Sequence, residues 1–341
     1  MDNLIYWLVL IIILLVINNI LIKYSFCLDN PVQNEKHKLL LGLENKVPLS
    51  GFFFFVPIIF FLFYKYNQNV VLTTITLFSL GFLSDIKLFI SPRLRLLFQF
   101  FIILIFVYLT DNIVIDTRIN AFNSLMTINI FRILLITFFF LVLINGFNFI
   151  DGTNNLCSLN FLIVLAFIGV FYFKFGYFEK FNQIILLIQA VIVFTIFNFF
   201  GKNFMGDGGV YGLSFFIGYT LTELSILEPD ISPYFVANLL WYPAFENLFS
   251  IVRRIFLKKK NYLPDNDHLH QLLYKFMSKK IHKKKYIISS LCGITINSML
   301  IISYILGYFY YSETYIQVII ILVNIILYSL LYLKMKKILN D

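Results

Sequence analysis

Residues 143–156 read LINGFNFIDGTNNL and hold Asn145, Asn148 and Asp151 three apart in turn. On a helix advancing about 100° per residue they share one face. Two carboxamides and a carboxylate then gather where an apolar run that begins near Ile128 gives out, and Gly152 lets the helix stop. A polar helix end with turn chemistry accounts for one such cluster. Three more clusters change the balance. Residues 81–85 read GFLSD, followed by Ser91-Pro-Arg-Leu-Arg95 and Gln99. Asp85 closes one apolar run, and Arg93 and Arg95 open the next. The plain alternative is a surface ion pair across a turn; the chemical reading is a carboxylate beside phosphate-binding guanidinium groups.

Residues 204–209 read FMGDGG. Gly206, Gly208 and Gly209 permit close approach of backbone to a ligand. A helix starting near Gly209 turns free N–H groups and the positive end of its dipole toward an anion. Asp207, beside it, suits Mg2+, a hard ion that takes carboxylate, water and phosphate oxygens. A simple helix cap is the competing role. Residues 264–271 read PDNDHLHQ. His268 and His270 lie two apart, a spacing natural to an extended segment or turn. No cysteine or third ligand accompanies them as zinc would require, so imidazoles donating to a diphosphate fit better.

The elements that carry these clusters belong to a membrane. The 341 residues are 60% hydrophobic and 13% charged, with 42 Phe and 21 Tyr, and the mean hydropathy is +0.85. Such a composition describes an all-α polytopic membrane protein and no soluble domain. Residues 4–22 are too long for a signal-peptide core and lack a basic start, so they read as a retained first span. Eleven spans are expected, at about 4–23, 50–64, 69–84, 95–110, 130–148, 159–175, 182–200, 209–227, 233–252, 286–309 and 314–333. With the N-terminus outside and the C-terminus cytoplasmic, 22 of the 27 Lys and Arg fall on the inner side, as the positive-inside bias requires. Every polar cluster then falls on that side, in segments at about 24–49, 85–94, 149–158, 201–208 and 253–285. The net charge of +9 lies in these loops, where it meets anionic lipid rather than nucleic acid. Cys27, Cys157 and Cys292 are far apart and have no metal spacing. No repeat or second soluble domain interrupts residues 1–341, which read as one transmembrane domain.

Together and in this order the four clusters resemble the polyprenyl-phosphate N-acetylhexosaminyl-1-phosphate transferases, the MraY/WecA family. That family carries an acidic pair after its third span, an N-x-x-N-x-x-D-G stretch, a G-D-x-G turn and an H-x-H loop. Here these are Ser84-Asp85, Asn145…Asn148…Asp151-Gly152, Gly206-Asp207-Gly208-Gly209 and His268-Leu-His270. Residues 245–254 look like its ninth helix. Two departures stand out. Ser84 takes the place of an acidic residue, and the segment containing Lys36 and His37 matches a basic-His…Pro…Gly-Gly pattern only loosely.

The resemblance implies transfer of a sugar-1-phosphate from a UDP-N-acetylhexosamine to a polyprenyl phosphate at the cytoplasmic face of the inner membrane, with release of UMP. It implies Mg2+, or Mn2+ in its place, on Asp207 and Asn148. Asp85, Asp151, Asp207, His268 and His270 are expected to be catalytic. Asn145, Asn148, Lys36, His37, Arg93, Gly208 and Gly209 are expected to bind substrate. Membrane lipid and a second copy in a homodimer complete the expected partners. Two rivals stay open: a transporter or flippase for a lipid-linked solute, and a catalytically silent scaffold. Transporters set polar groups near the bilayer midplane, whereas mid-span charges are nearly absent here apart from Glu223 and Glu246, which lie near span boundaries.

Overall fold

A computed structural model describes residues 2–29, 46–65, 67–88, 91–110, 113, 116–256 and 267–340. Lys36 and His37 lie outside the described residues. Thirteen helices are formed among them: α1 (Asp2–Lys23), α2 (Gly51–Phe63), α3 (Gln68–Asp85), α4 (Pro92–Leu109), α5 (Asn120–Met126), α6 (Asn129–Ile150), α7 (Leu156–Lys174), α8 (Phe178–Phe199), α9 (Gly206–Leu227), α10 (Pro233–Phe256), α11 (Leu269–Lys280), α12 (Lys285–Phe309) and α13 (Thr314–Asn340). Each expected span coincides with one of them; α5 and α11 are the additions. Both are short, and α11 buries Leu269, Leu272 and Leu273 while its last turn holds Lys279 and Lys280. That two-sided character suits a helix lying along the bundle.

Eight helices are long and apolar enough to cross a membrane, so the chain is a multi-pass membrane protein. Three of the eleven expected spans fall short of that measure for visible reasons. α2 has only 13 residues. α3 carries a series of Thr and Ser side chains along its length, and several of them bond back to the carbonyl four residues earlier. α10 contains Pro243, Glu246, Arg253 and Arg254. The outer helices α1 and α13 expose most of their apolar surface, as lipid-facing helices do.

At the centre stands α9, the most enclosed of the spans. It packs along nearly its whole length on α3, with α6, α2, α7 and α10 around it. The α3–α9 contact is close because Gly81 has no side chain: a Cβ there would collide with the backbone of Asp207 and Gly208. Backbones that meet so closely are a common way to pack helices in lipid. A two-stranded ladder, β1 (Leu28–Asp29) with β2 (Val47–Pro48), lies antiparallel beside this end. Its continuation holds the turn before α9: Ser50 N donates to Phe204 O at 3.1 Å and Phe204 N to Pro48 O at 2.9 Å. The all-α expectation had no place for these strands, which are two residues long.

The two ends of the bundle differ in chemistry. Lys180 pairs with Glu223 at 2.8 Å. Arg118 ties the turns near Pro229 and Ser312 together at that same end. The opposite end brings together the C-termini of α3 and α6 with the N-termini of α4, α9 and α11. Because Gly81 sets where Asp207 stands, Gly81→Ala is expected to cost about 1–3 kcal/mol, the range for overpacking. A lowered melting temperature in detergent checks this; an unchanged one would show that the helices can part freely.

Candidate functional site

The first turn of α9 leaves N–H groups without partners inside the helix. Here a neighbouring helix supplies them. Asp85, the last residue of α3, accepts from Asp207 N through Oδ1 and from Gly208 N through Oδ2, both at 2.9 Å. The N–H of Gly206 is directed at Asp151. Gly206 sits at φ +71°, a left-handed conformation that favours glycine, and a Cβ there would strike the Asp85 carboxylate. Asp85 therefore caps α9 from outside, a charge-assisted contact with the positive helix end. Gly208 gives its N–H to Asp85 rather than to an open anion site. Gly209 lies against Gly51 of α2, where its small size serves helix packing.

Asp207 projects from this turn. Its Oδ2 accepts from Ser84 Oγ at 2.6 Å, from Arg95 Nη1, and from Tyr211 OH at 3.3 Å. An ion pair at this end joins Arg95 to Asp207; the sequence suggested Arg93 as the binding group. Arg93 lies exposed in the first turn of α4. Two positions apart on a helix, the two guanidinium groups point to opposite sides. Asn148 donates to Tyr211 OH at 3.4 Å and so joins the chain of contacts to Asp207. Asn145 faces elsewhere: it donates to Gln99 Oε1 and Leu141 O, both at 2.9 Å, and ties α6 to buried Gln99 of α4.

Asp151 follows the last residue of α6. Burial, reinforced by the nearby carboxylates of Asp207 and Asp85, raises its carboxyl well above the usual carboxylate range. Gly152 is not left-handed, so it does not stop the helix in the way expected. It leaves room instead for His270, whose ring a Cβ at position 152 would meet.

The two histidines divide. His270 is fully buried, and neither ring nitrogen has a partner. Burial, with His268 alongside, pushes it down to about 3, which favours the neutral ring. His268 stacks on it at 5.5 Å and lies 5.3 Å from the ring of Phe149 in α6. His268 Nδ1 is 2.9 Å from Glu246 Oε1, and Glu246 Oε2 accepts from Tyr328 OH at 2.6 Å. Glu246 and Tyr328 were not expected in the site. An acid inside an apolar helix was the available signal for Glu246; nothing in the sequence pointed to Tyr328.

A divalent cation fits the chemistry of this end. Three carboxylates converge on one helix start, with Arg95 and the helix N-terminus as the positive groups in contact with them. Asp207 Oδ1, Asp151 and the Asn148 oxygen are hard donors of the kind Mg2+ and Mn2+ take. Among the described residues no three His, Cys, Asp or Glu side chains are placed to hold a metal ion by themselves.

Residues 67–226 match the model of glycosyl transferase family 4. The chain is 33% identical over 187 residues to a phospho-N-acetylmuramoyl-pentapeptide-transferase of Dictyoglomus turgidum, covering 53% of this chain and 59% of the relative. A protein of that name from Dictyoglomus thermophilum is 28% identical over 257 residues, 72% and 80% of the two chains. An undecaprenyl-phosphate alpha-N-acetylglucosaminyl 1-phosphate transferase of Thermotoga maritima is 26% identical over 271 residues, 77% of each. The matched region contains Asp85, Arg95, Asn148, Asp151 and Asp207, and ends before Glu246 and His268.

The raised Asp151 value has a defined sign. Its folded-state value lies above the unfolded one of about 3.9, so folding takes up a proton. Without divalent cation, stability should fall as pH rises from about 4 through the folded value. Asp151→Asn is expected to flatten that slope and raise the melting temperature at neutral pH by roughly 2 °C or more. Added Mg2+ should stabilise the parent protein more than the variant. Parallel pH–melting curves would refute the assignment.

Proposed function

We propose that the chain, whose residues 67–226 match the model of glycosyl transferase family 4, transfers a sugar-1-phosphate from a UDP-sugar to a polyprenyl phosphate and releases UMP. The sugar we favour is an N-acetylhexosamine, and the site we assign to the cytoplasmic face of the inner membrane. The observation that carries this reading is the convergence of Asp85, Asp151 and Asp207 on the start of α9, beside Arg95 and close to the Asn148 end of α6.

The reaction joins two anions. An oxygen of the lipid phosphate forms a bond to the sugar-bearing phosphorus, the bond bridging the two phosphates of the nucleotide breaks, and UMP carries away its electron pair. A phosphate monoester has a second pKa near 6, so much of the nucleophile is already dianionic at about pH 7. A strong general base is then unnecessary, and the protein's task is to position the anions and screen their charge. A bound Mg2+ would supply Lewis-acid screening of the phosphate oxygens, held by Asp207 Oδ1, Asp151 and Asn148. Arg95, paired with Asp207, is the guanidinium nearest that charge. Ser84 and Tyr211 fix the Asp207 carboxylate. Asp85 anchors the turn that bears it. His268 is within reach of the same end as a donor to phosphate oxygen.

Membranes carrying the protein, a polyprenyl phosphate and a set of UDP-sugars are expected to release UMP with at least one donor, dependent on Mg2+ or Mn2+. Asp207→Ala should reduce turnover at least 100-fold, the scale of losing a main electrostatic group. Activity without lipid acceptor, or an Asp207→Ala protein that keeps metal-dependent turnover, would overturn the reading. Transport of an intact lipid-linked glycan without UMP release would favour a flippase.

A further inference from the structure

Behind His268, the last described helices hold a polar network whose other members, Glu246 and Tyr328, have no part in the transfer reaction as set out above. Glu246 is fully buried in α10, three residues beyond Pro243. A lone carboxylate there would be costly. It is instead bonded on both oxygens, by the Tyr328 hydroxyl of α13 and by His268 Nδ1. His268 itself is buried and extended (φ −71°, ψ 149°) just before α11. Its backbone N–H donates to Gln271 Oε1 at 3.2 Å, and its ring lies between Phe149 and His270. Backbone, ring plane and Nδ1 are thus all fixed. Nε2 is the one ring nitrogen with neither a protein partner nor a buried, orphaned position. His270, by contrast, has both nitrogens enclosed without partners.

This arrangement has a chemical consequence. A carboxylate on Nδ1 holds the proton there, so the opposite nitrogen is the one that exchanges hydrogen bonds with a ligand. When the ring carries both protons, Nε2 is a donor.

We propose that Glu246 and Tyr328 are positioning residues that fix the ring of His268, with Nδ1 on the carboxylate, so that Nε2 is presented to a phosphate oxygen of the bound substrate and donates to it from the doubly protonated ring. The inference rests on the transferase reading. Its ligand is a phosphate oxygen, which either the UDP-sugar or the prenyl phosphate can supply.

The test compares Glu246→Gln, Tyr328→Phe and His268→Ala in the full-length chain, in a UMP-release assay and with binding of UDP and of farnesyl phosphate measured separately. Glu246→Gln keeps the size of the side chain and removes the charge. It is expected to raise KM about tenfold or more for the substrate that meets Nε2, with a smaller fall in kcat, the scale of loosening one charge-assisted hydrogen bond. Tyr328→Phe should do so to a smaller degree, and His268→Ala at least as much as Glu246→Gln. A higher KM and weaker binding for UDP alone would assign Nε2 to the nucleotide; the same for farnesyl phosphate alone would assign it to the lipid. If Glu246→Gln lowers kcat and the melting temperature but leaves both KM values and the binding of both probes unchanged, Glu246 is structural and the inference fails. If the parent protein releases no UMP with any donor, the transferase reading fails instead. The two failures are therefore distinguishable.

Discussion

Negative charge gathered at one helix start is the constraint on which the rest of this structure depends. Asp85, Asp151 and Asp207 come from three different segments and meet at the first turn of α9. Like charges so close repel one another and call for compensation. The backbone supplies part of it. Two N–H groups of α9 are bound by Asp85, and a third is directed at Asp151. Arg95 supplies another part. The near contact of α3 with α9 at Gly81 follows from the same need, because Asp85 must reach the α9 backbone within hydrogen-bond distance. A bulkier residue at position 81 would hold the cap off and leave donors of α9 unsatisfied, at about 1 kcal/mol for a lost cap.

The sequence made the spans legible because hydropathy is a property of consecutive residues. It made Asn145, Asn148 and Asp151 legible as a cluster because they are helical neighbours. Contacts between distant segments leave no such mark. Asp85 and the N–H of Asp207 are 122 positions apart, and Glu246 and Tyr328 are 82 apart. The choice between Arg93 and Arg95 turns on the rotation of α4 about its axis, which apolar residues on nearly every face of a lipid-embedded helix do not fix. Asn145 was read as a ligand group because its face is right, yet Gln99 claims its amide. The glycines of the α9 turn were read as room for a ligand, whereas in the fold they make room for Asp85 and Gly51. Composition cannot distinguish these uses of an absent side chain.

Ser84 is best understood from the same balance of charge. An acidic residue there would bring a fourth carboxylate to within hydrogen-bond distance of Asp207 Oδ2. Ser84 places a hydroxyl at that point instead, donating at 2.6 Å, and Arg95 Nη1 is 2.7 Å from the same hydroxyl oxygen. One neutral donor and one cation therefore share the task of holding Asp207. A fourth carboxylate would need either a proton or a further cation to sit there, so the serine lowers the positive charge that the site must recruit. The loss of an acid and the presence of Arg95 are thus a single electrostatic arrangement. It leaves Asp207 Oδ1, Asp151 and Asn148 as oxygen donors at this end of the bundle.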